Sequence, residues 1–317
     1  MIILLSSATV AKYFLSKKII FRLTKKNKLQ PRTQGIYYIF FGLFFCFAIP
    51  DPFSYFVLNK MYLGRFVPVV WHNSTTILLF PFAILLFWKQ LKIIDSVHKT
   101  TLSEILVINI LVIINVLIKP SFLFVYMPVT FIFLLKNFKI NKLKSLFLKL
   151  TPLFTGTVII IAQYYLLFIL QKGTGQHKSS SVEISQPFEV LNSWIPTWFI
   201  PISLLLSFAL PIFSLFFYKE ILKYKPFLYA LCLTIFGILI SAFLKETEDR
   251  MLHGNFMWQN IICAYLLFLA TISFLIPKFF GNNLRSKKII FLKGLFFAHA
   301  LSGILYILKM TITLNYF

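Results

Sequence analysis

Apolar residues run along this chain in blocks of about 15 to 25, separated by short polar or basic stretches. That block length matches the roughly 20 residues a helix needs to cross a bilayer. Transmembrane β-strands would instead show segments of about ten residues with alternating polarity, and no such alternation is visible. The pattern predicts spans near residues 2–16, 35–50, 74–88, 101–118, 121–135, 150–170, 195–217, 226–244, 258–276 and 294–312. The expected fold is therefore all-α: a polytopic helical bundle with about 10 transmembrane helices, forming one membrane domain over 1–317. Pro120, next to Lys119, separates two closely joined spans, because proline does not continue a helix. Pro201 and Pro211 predict kinks within 195–217. The loop 171–194 contains Gly173, Gly175 and three consecutive serines, so part of it is expected to be mobile. Trp194 and Trp198 suit an interfacial entry into the following span.

Composition strengthens this picture. Hydrophobic residues make up 59% of the chain, 39 residues are Phe, and the mean hydropathy is +0.83. A soluble fold is excluded on those grounds. The net charge of +23 could suggest nucleic acid, but its distribution argues against it. Alternate loops (17–34, 89–100, 136–149, 218–225 and 277–293) hold 23 Lys/Arg, whereas the intervening loops hold 7. Lys12 and Lys309 fall within spans. This is the positive-inside asymmetry, and it assigns the basic loops to the cytoplasm. Nucleic-acid binding would need a contiguous basic face with groove-reading or aromatic partners, and the sequence has none. Six of the nine acids follow the opposite trend, with Asp51, Glu183, Glu189, Glu246, Glu248 and Asp249 in outer loops and only Asp95, Glu104 and Glu220 at the inner face.

Ten spans put both termini outside. Either the basic flank at 17–32 lets the first helix insert with its amino end out, or one further span and an outer loop precede residue 1. Residues 1–16 lack the basic start and cleavage site of a secretory signal. Cys46, Cys232 and Cys263 lie in apolar runs without ligand spacing and read as small core residues.

Three polar signatures open on the outer side, each beside an apolar run. The first is Trp71-His72-Asn73-Ser74-Thr75-Thr76, where an indole can stack on a sugar and His72 can bind phosphate or move a proton. Asn73 or Ser74 also suits the cap of the next helix. The second is Lys119-Pro120-Ser121-Phe122, whose ammonium can snorkel to lipid phosphate or neutralise a phosphorylated substrate. The third runs from Lys245 to Trp258 and gathers Glu246, Glu248, Asp249, Arg250, His253, Asn255 and Trp258. There Arg250 suits a phosphate, Glu246 or Asp249 could accept a proton, and Gly254 would let backbone approach a substrate closely. His72 and His253, with nearby acids, offer a divalent cation only loose spacing, so no metal ligand or cofactor is assigned. His299, near Ser302, reads as a hydrogen-bonded packing residue.

With Gly64, these three signatures resemble a family of bacterial polytopic membrane proteins similar to type C glycosyltransferases, over about residues 60–275. The resemblance implies a multispanning enzyme in the bacterial inner membrane that uses a lipid-phosphate-linked sugar at the extracytoplasmic face. Lys119 and Arg250 would hold the phosphate, and Trp71 and Trp258 would position the sugar. His72, Asn73, His253 and Asn255 would supply hydrogen bonds. Asp51 and Glu246 are the candidate bases; in type C enzymes the catalytic acid typically follows the first span. A flippase or transporter for the same lipid, or an inactive or structural membrane subunit, are the rival readings.

Overall fold

Proline, glycine and polar clusters divide the apolar chain into helices joined by short links. The computed structural model describes residues 1–26, 47–49, 66–70, 73–95, 100–136, 143–166, 181–280 and 286–313, with the isolated positions 35, 39, 42 and 43. In chain order the elements are α1 (Ile2–Lys26), α2 (Ser74–Asp95), α3 (Leu102–Ile118), α4 (Ser121–Lys136) and α5 (Leu143–Tyr164). These are followed by β1 (Val182–Ile184), the one-turn α6 (Glu189–Asn192), α7 (Ile200–Ser207), α8 (Ala209–Phe217) and α9 (Lys225–Phe243). The last elements are β2 (Leu244–Glu246), α10 (Trp258–Phe280) and α11 (Lys287–Thr313).

Five helical stretches among the described residues are long and apolar enough to cross a membrane: those of α2, α5, α9, α10 and α11. The bent pair of α7 and α8 makes up to six. Lengths and compositions of this kind mark an integral membrane protein. Of the ten expected spans, five to six meet this test among the described residues. Helices α3 and α4 have 17 and 16 residues, about 25 Å of rise against a hydrocarbon core of about 30 Å. Helix α1 is long enough, but its six Lys and Arg residues set it apart from those apolar stretches. The proposed span at 35–50 falls mostly outside the described residues.

Local chemistry accounts for the helix boundaries. Thr101 and Glu104 form a reciprocal capping box at the start of α3: Glu104 N–H donates to Thr101 Oγ1 at 3.3 Å, and Thr101 N–H donates to Glu104 Oε2 at 3.0 Å. Lys119 ends α3 in extended backbone, φ −168° and ψ 116°. Pro120 disfavours helical geometry in the residue before it and so accounts for that break. The two prolines of 195–217 behave differently from each other. Pro201 lies in the first turn of α7, where its missing N–H costs nothing. The chain instead bends by 63° at Phe208, between α7 and α8. Pro211 follows three residues later, so the Ser207 carbonyl loses its usual donor and meets the proline ring. One kink replaces the two expected.

Helix α10 is the central post. Eighteen of the 23 residues of α10 are buried, against three of the 22 in α5 at the periphery. It packs on α9, α1, α4, α8, α2 and α11. Gly156 lets α5 lie close on the α3–α4 hairpin: a Cβ there would meet Met127 Sδ and Val112 Cγ1 at 3.1 Å. Buried polar groups cross-link the bundle. Tyr126 OH donates to Gln90 Oε1 at 2.8 Å, and the Thr130 and Tyr229 hydroxyls lie 2.6 Å apart. His299 Nδ1 lies 2.8 Å from the Ala48 carbonyl, and Phe47 stacks on its ring. That agrees with a hydrogen-bonded packing residue.

Contacts between loops sort the helix ends into two groups, as the charge pattern requires. At one end Lys278 pairs with Glu220 at 3.2 Å. At the other, β1 and β2 form a two-stranded antiparallel ribbon with Val182 opposite Glu246. The described end of the 171–194 loop is therefore anchored to the stretch after α9. If the two groups lie on opposite membrane faces, single cysteines at 245 and 278, in a chain with its native cysteines replaced, will react with an impermeant maleimide from opposite sides. Labelling of both from one side would contradict this arrangement.

Candidate functional site

The turn Lys119-Pro120 brings two of the three signatures together, and a third contact adds the remaining one. Pre-proline geometry holds Lys119 extended between α3 and α4. Its Nζ lies 3.4 Å from Asn73 Oδ1 and 3.4 Å from Thr76 Oγ1, at the start of α2. It also stands 4.3 Å from the centroid of the Trp258 ring, at the start of α10. One ammonium thus touches residues from 73–76 and 258. A further ring contact, Phe124 to Phe256 at 6.1 Å, ties the following turn of α4 to the link before α10.

Asn73 has a structural task as well. Its Oδ1 accepts from Thr76 N–H and from Thr75 Oγ1, each at 2.9 Å, which makes it the N-cap of α2. The contact to Lys119 is a third demand on the same oxygen. Bonds of 3.4 Å are long against a usual N–H···O distance of about 2.9–3.0 Å, so both are weak. Among the described residues no carboxylate pairs with Lys119. Burial without a counter-charge lowers its pKa from 10.5 to about 8.

The second half of the site lies on the link between β2 and α10. Glu246 is buried, and its Oε2 accepts from Asn255 Nδ2 at 2.6 Å. Two short 3₁₀ turns, Glu248–His253 and Asn255–Met257, meet at Gly254, which adopts φ +57°. A Cβ at 254 would lie 2.8 Å from Trp194 Cη2. The close approach at Gly254 is therefore taken by an indole and not left open for a substrate. A small cleft beside the turns, with room for about one water molecule, is lined by Ser241, Lys245, Glu246, Asn255 and Phe256, among others. Lys245 Nζ pairs with Glu189 Oε1 at 2.5 Å across its edge, fastening α6 to β2.

The candidate residues divide as follows. Asn73, Lys119 and Trp258 share one cluster, and Glu246 and Asn255 form a bonded pair on the connected link. Arg250 is half-buried and His253 exposed on the first 3₁₀ turn. Asp51, Trp71 and His72 lie outside the described residues. Trp258, expected to position sugar, presents one ring face to the Lys119 ammonium. Among the described residues, no three His, Cys, Asp or Glu side chains gather as a metal site would need.

Sequence reasoning placed Thr76, Trp194, Glu189 and Lys245 at this end of the bundle but not the contacts they make there: Thr76 with Lys119, Trp194 with Gly254, and Glu189 with Lys245. Thr76 could have been suspected from its position three residues after an Asn cap. The other two depend on the β1–β2 register, which no local pattern announces. No protein-family model matches the chain, and neither a curated protein nor a solved structure is significantly similar to it.

Two measurements probe this geometry. Gly254→Ala combines a left-handed backbone with a clash against Trp194, so it should lower stability by about 1–2 kcal/mol, read as an earlier thermal unfolding. An unchanged midpoint would contradict the contact. For Lys119 the sign follows from its lowered pKa. Below about pH 8 the folded protein bears the penalty of a buried charge. Between that pH and 10.5 the unfolded chain binds more protons than the folded one, so stability should rise with pH. Subtracting the Lys119→Met profile from that of the wild type should isolate this rise; identical profiles would contradict it.

Proposed function

We propose that this chain is a membrane glycosyltransferase of the type C kind, with the phosphate of a lipid-linked sugar bound at Lys119. The observation that carries the reading is the ammonium itself. It is half-buried, held by two weak neutral contacts and one aromatic face, and faces no carboxylate among the described residues. A cation in that condition favours an incoming anion. A phosphate oxygen would supply the charge-assisted hydrogen bond that Asn73 and Thr76 do not.

In this reading an acceptor hydroxyl oxygen attacks the anomeric carbon. The bond from that carbon to the phosphate oxygen breaks, and the lipid phosphate leaves with the electron pair. Its developing charge falls on Lys119, with Arg250 as a second donor. Glu246, or Asp51, takes the proton released by the hydroxyl. Asn255 would orient the Glu246 carboxylate toward that task. His72, His253 and Trp71 would complete the sugar and acceptor contacts at the extracytoplasmic face of a bacterial inner membrane. A flippase for the same lipid is the second reading, and the deeply buried Lys12 is the observation in its favour.

The test is transfer measured in membranes with a lipid-phosphate-linked sugar donor. Lys119→Ala should lower turnover about 100-fold, the scale of one lost electrostatic contact in a transition state, and Lys119→Arg should keep a substantial part. Wild-type turnover in Lys119→Ala would sink the phosphate role. Translocation of the lipid without any transfer would favour the flippase.

A further inference from the structure

A second lysine is buried on the same seam of the bundle. Lys12, in the middle of α1, is 6% exposed. Its Nζ lies 3.7 Å from the centroid of Phe80 on α2 and 4.1 Å from that of Tyr265 on α10. An ammonium carries three N–H donors. Among the described residues no oxygen accepts from this one, and no carboxylate pairs with it. Tyr265 itself is steadied by α1, its hydroxyl lying 2.6 Å from Ser16 Oγ. Ionisable side chains inside a membrane bundle are costly and usually tied to a substrate path.

The two lysines are related by helix periodicity. Lys119 touches Thr76 and Trp258, whereas Lys12 touches Phe80 and Tyr265. Thr76 and Phe80 are four residues apart on α2 and share a face. Trp258 and Tyr265 are seven apart on α10 and also share a face. Both ammonium groups therefore stand along the seam between α2 and α10. Lys12 lies deeper, by about 6 Å of rise along α2 or about 10 Å along α10. With a charge-assisted bond of about 2.8 Å at each end, the offset along α2 leaves less than about 1 Å between the two acceptor oxygens and that along α10 roughly 4–5 Å, the spacing on which a two-phosphoryl ligand depends. Oxygens on adjacent phosphoryl groups can bridge such a gap, whereas two oxygens of one phosphate lie too close together.

We propose that Lys12 and Lys119 form a two-cation track for a lipid diphosphate, with Lys119 at the mouth and Lys12 one phosphoryl group further in. This rests on the reading of Lys119 as a phosphate site and narrows its ligand from phosphorylated lipids in general to diphosphates. The aromatic faces of Phe80 and Tyr265 hold the inner ammonium in place until the second phosphoryl group arrives. An ordinary phospholipid, with one phosphate, engages a single lysine and gains nothing from the other.

Binding of farnesyl diphosphate and farnesyl monophosphate to the full chain in nanodiscs tests the track. Wild type should prefer the diphosphate by about tenfold or more, the worth of one additional charge-assisted contact. Lys12→Met keeps the apolar stem and should bring diphosphate affinity down to the monophosphate level. Lys12→Arg keeps the charge and should retain the preference, separating loss of charge from loss of packing. Lys119→Ala should weaken both ligands. A preference that survives Lys12→Met overturns the track and leaves the phosphate role of Lys119 standing. Full binding of both ligands by Lys119→Ala overturns that role instead, and a wild type that binds neither ligand overturns both.

Discussion

An ammonium at the rim of an apolar bundle has to be held, and the way Lys119 is held organises one end of this molecule. It lies between the cap of α2 and the first residue of α10, and it hangs from the turn that joins α3 to α4. Four helices are thereby related through a single charge. The attraction to the Trp258 face is worth about 0.5–2 kcal/mol, and the two hydrogen bonds are long. Such a contact fixes position more than it stabilises the fold, and it leaves the cation open to a better partner. Stability comes from elsewhere, chiefly from α10, which is apolar along most of its length and covered by neighbours on most sides.

The other half of that end is fastened by backbone pairing. The β1–β2 ribbon and the Lys245–Glu189 pair bring the segment before α7 onto the link before α10. Gly254 then lets that link turn tightly enough for Trp194 to lie against it. Glu246 is buried by these arrangements and not by a helix, and Asn255 satisfies one of its oxygens. The carboxylate and the ammonium thus reach the same rim by different routes, one through a proline break and the other through a strand register.

Much of this could be read from the chain before its folding was known, because the strongest signals are local. Block length predicted helices over 74–88, 226–244 and 258–276; α9 is offset from its limits by one residue, whereas α2 and α10 run on by seven and four residues at their inner ends. The Pro120 break and the Asn73 cap follow from dihedral preferences of single residues. Other features depend on partners distant in sequence. Val182-Glu183-Ile184 is too short to announce a strand, and its pairing with 244–246 is a matter of register. The 63° bend needed one proline at a helix start and another three residues past the break, so residue type alone predicted one kink too many. Lys12 reads from sequence only as a lysine within a span, since the rings that enclose it come from α2 and α10.

The central claim is that Lys119 and Trp258, 139 positions apart, are in direct energetic contact. A double-mutant cycle on folding stability, using Lys119→Met and Trp258→Leu singly and together, measures that contact without reference to any substrate. The account predicts a coupling energy of about 0.5–2 kcal/mol. Effects that simply add, to within about 0.3 kcal/mol, would contradict it.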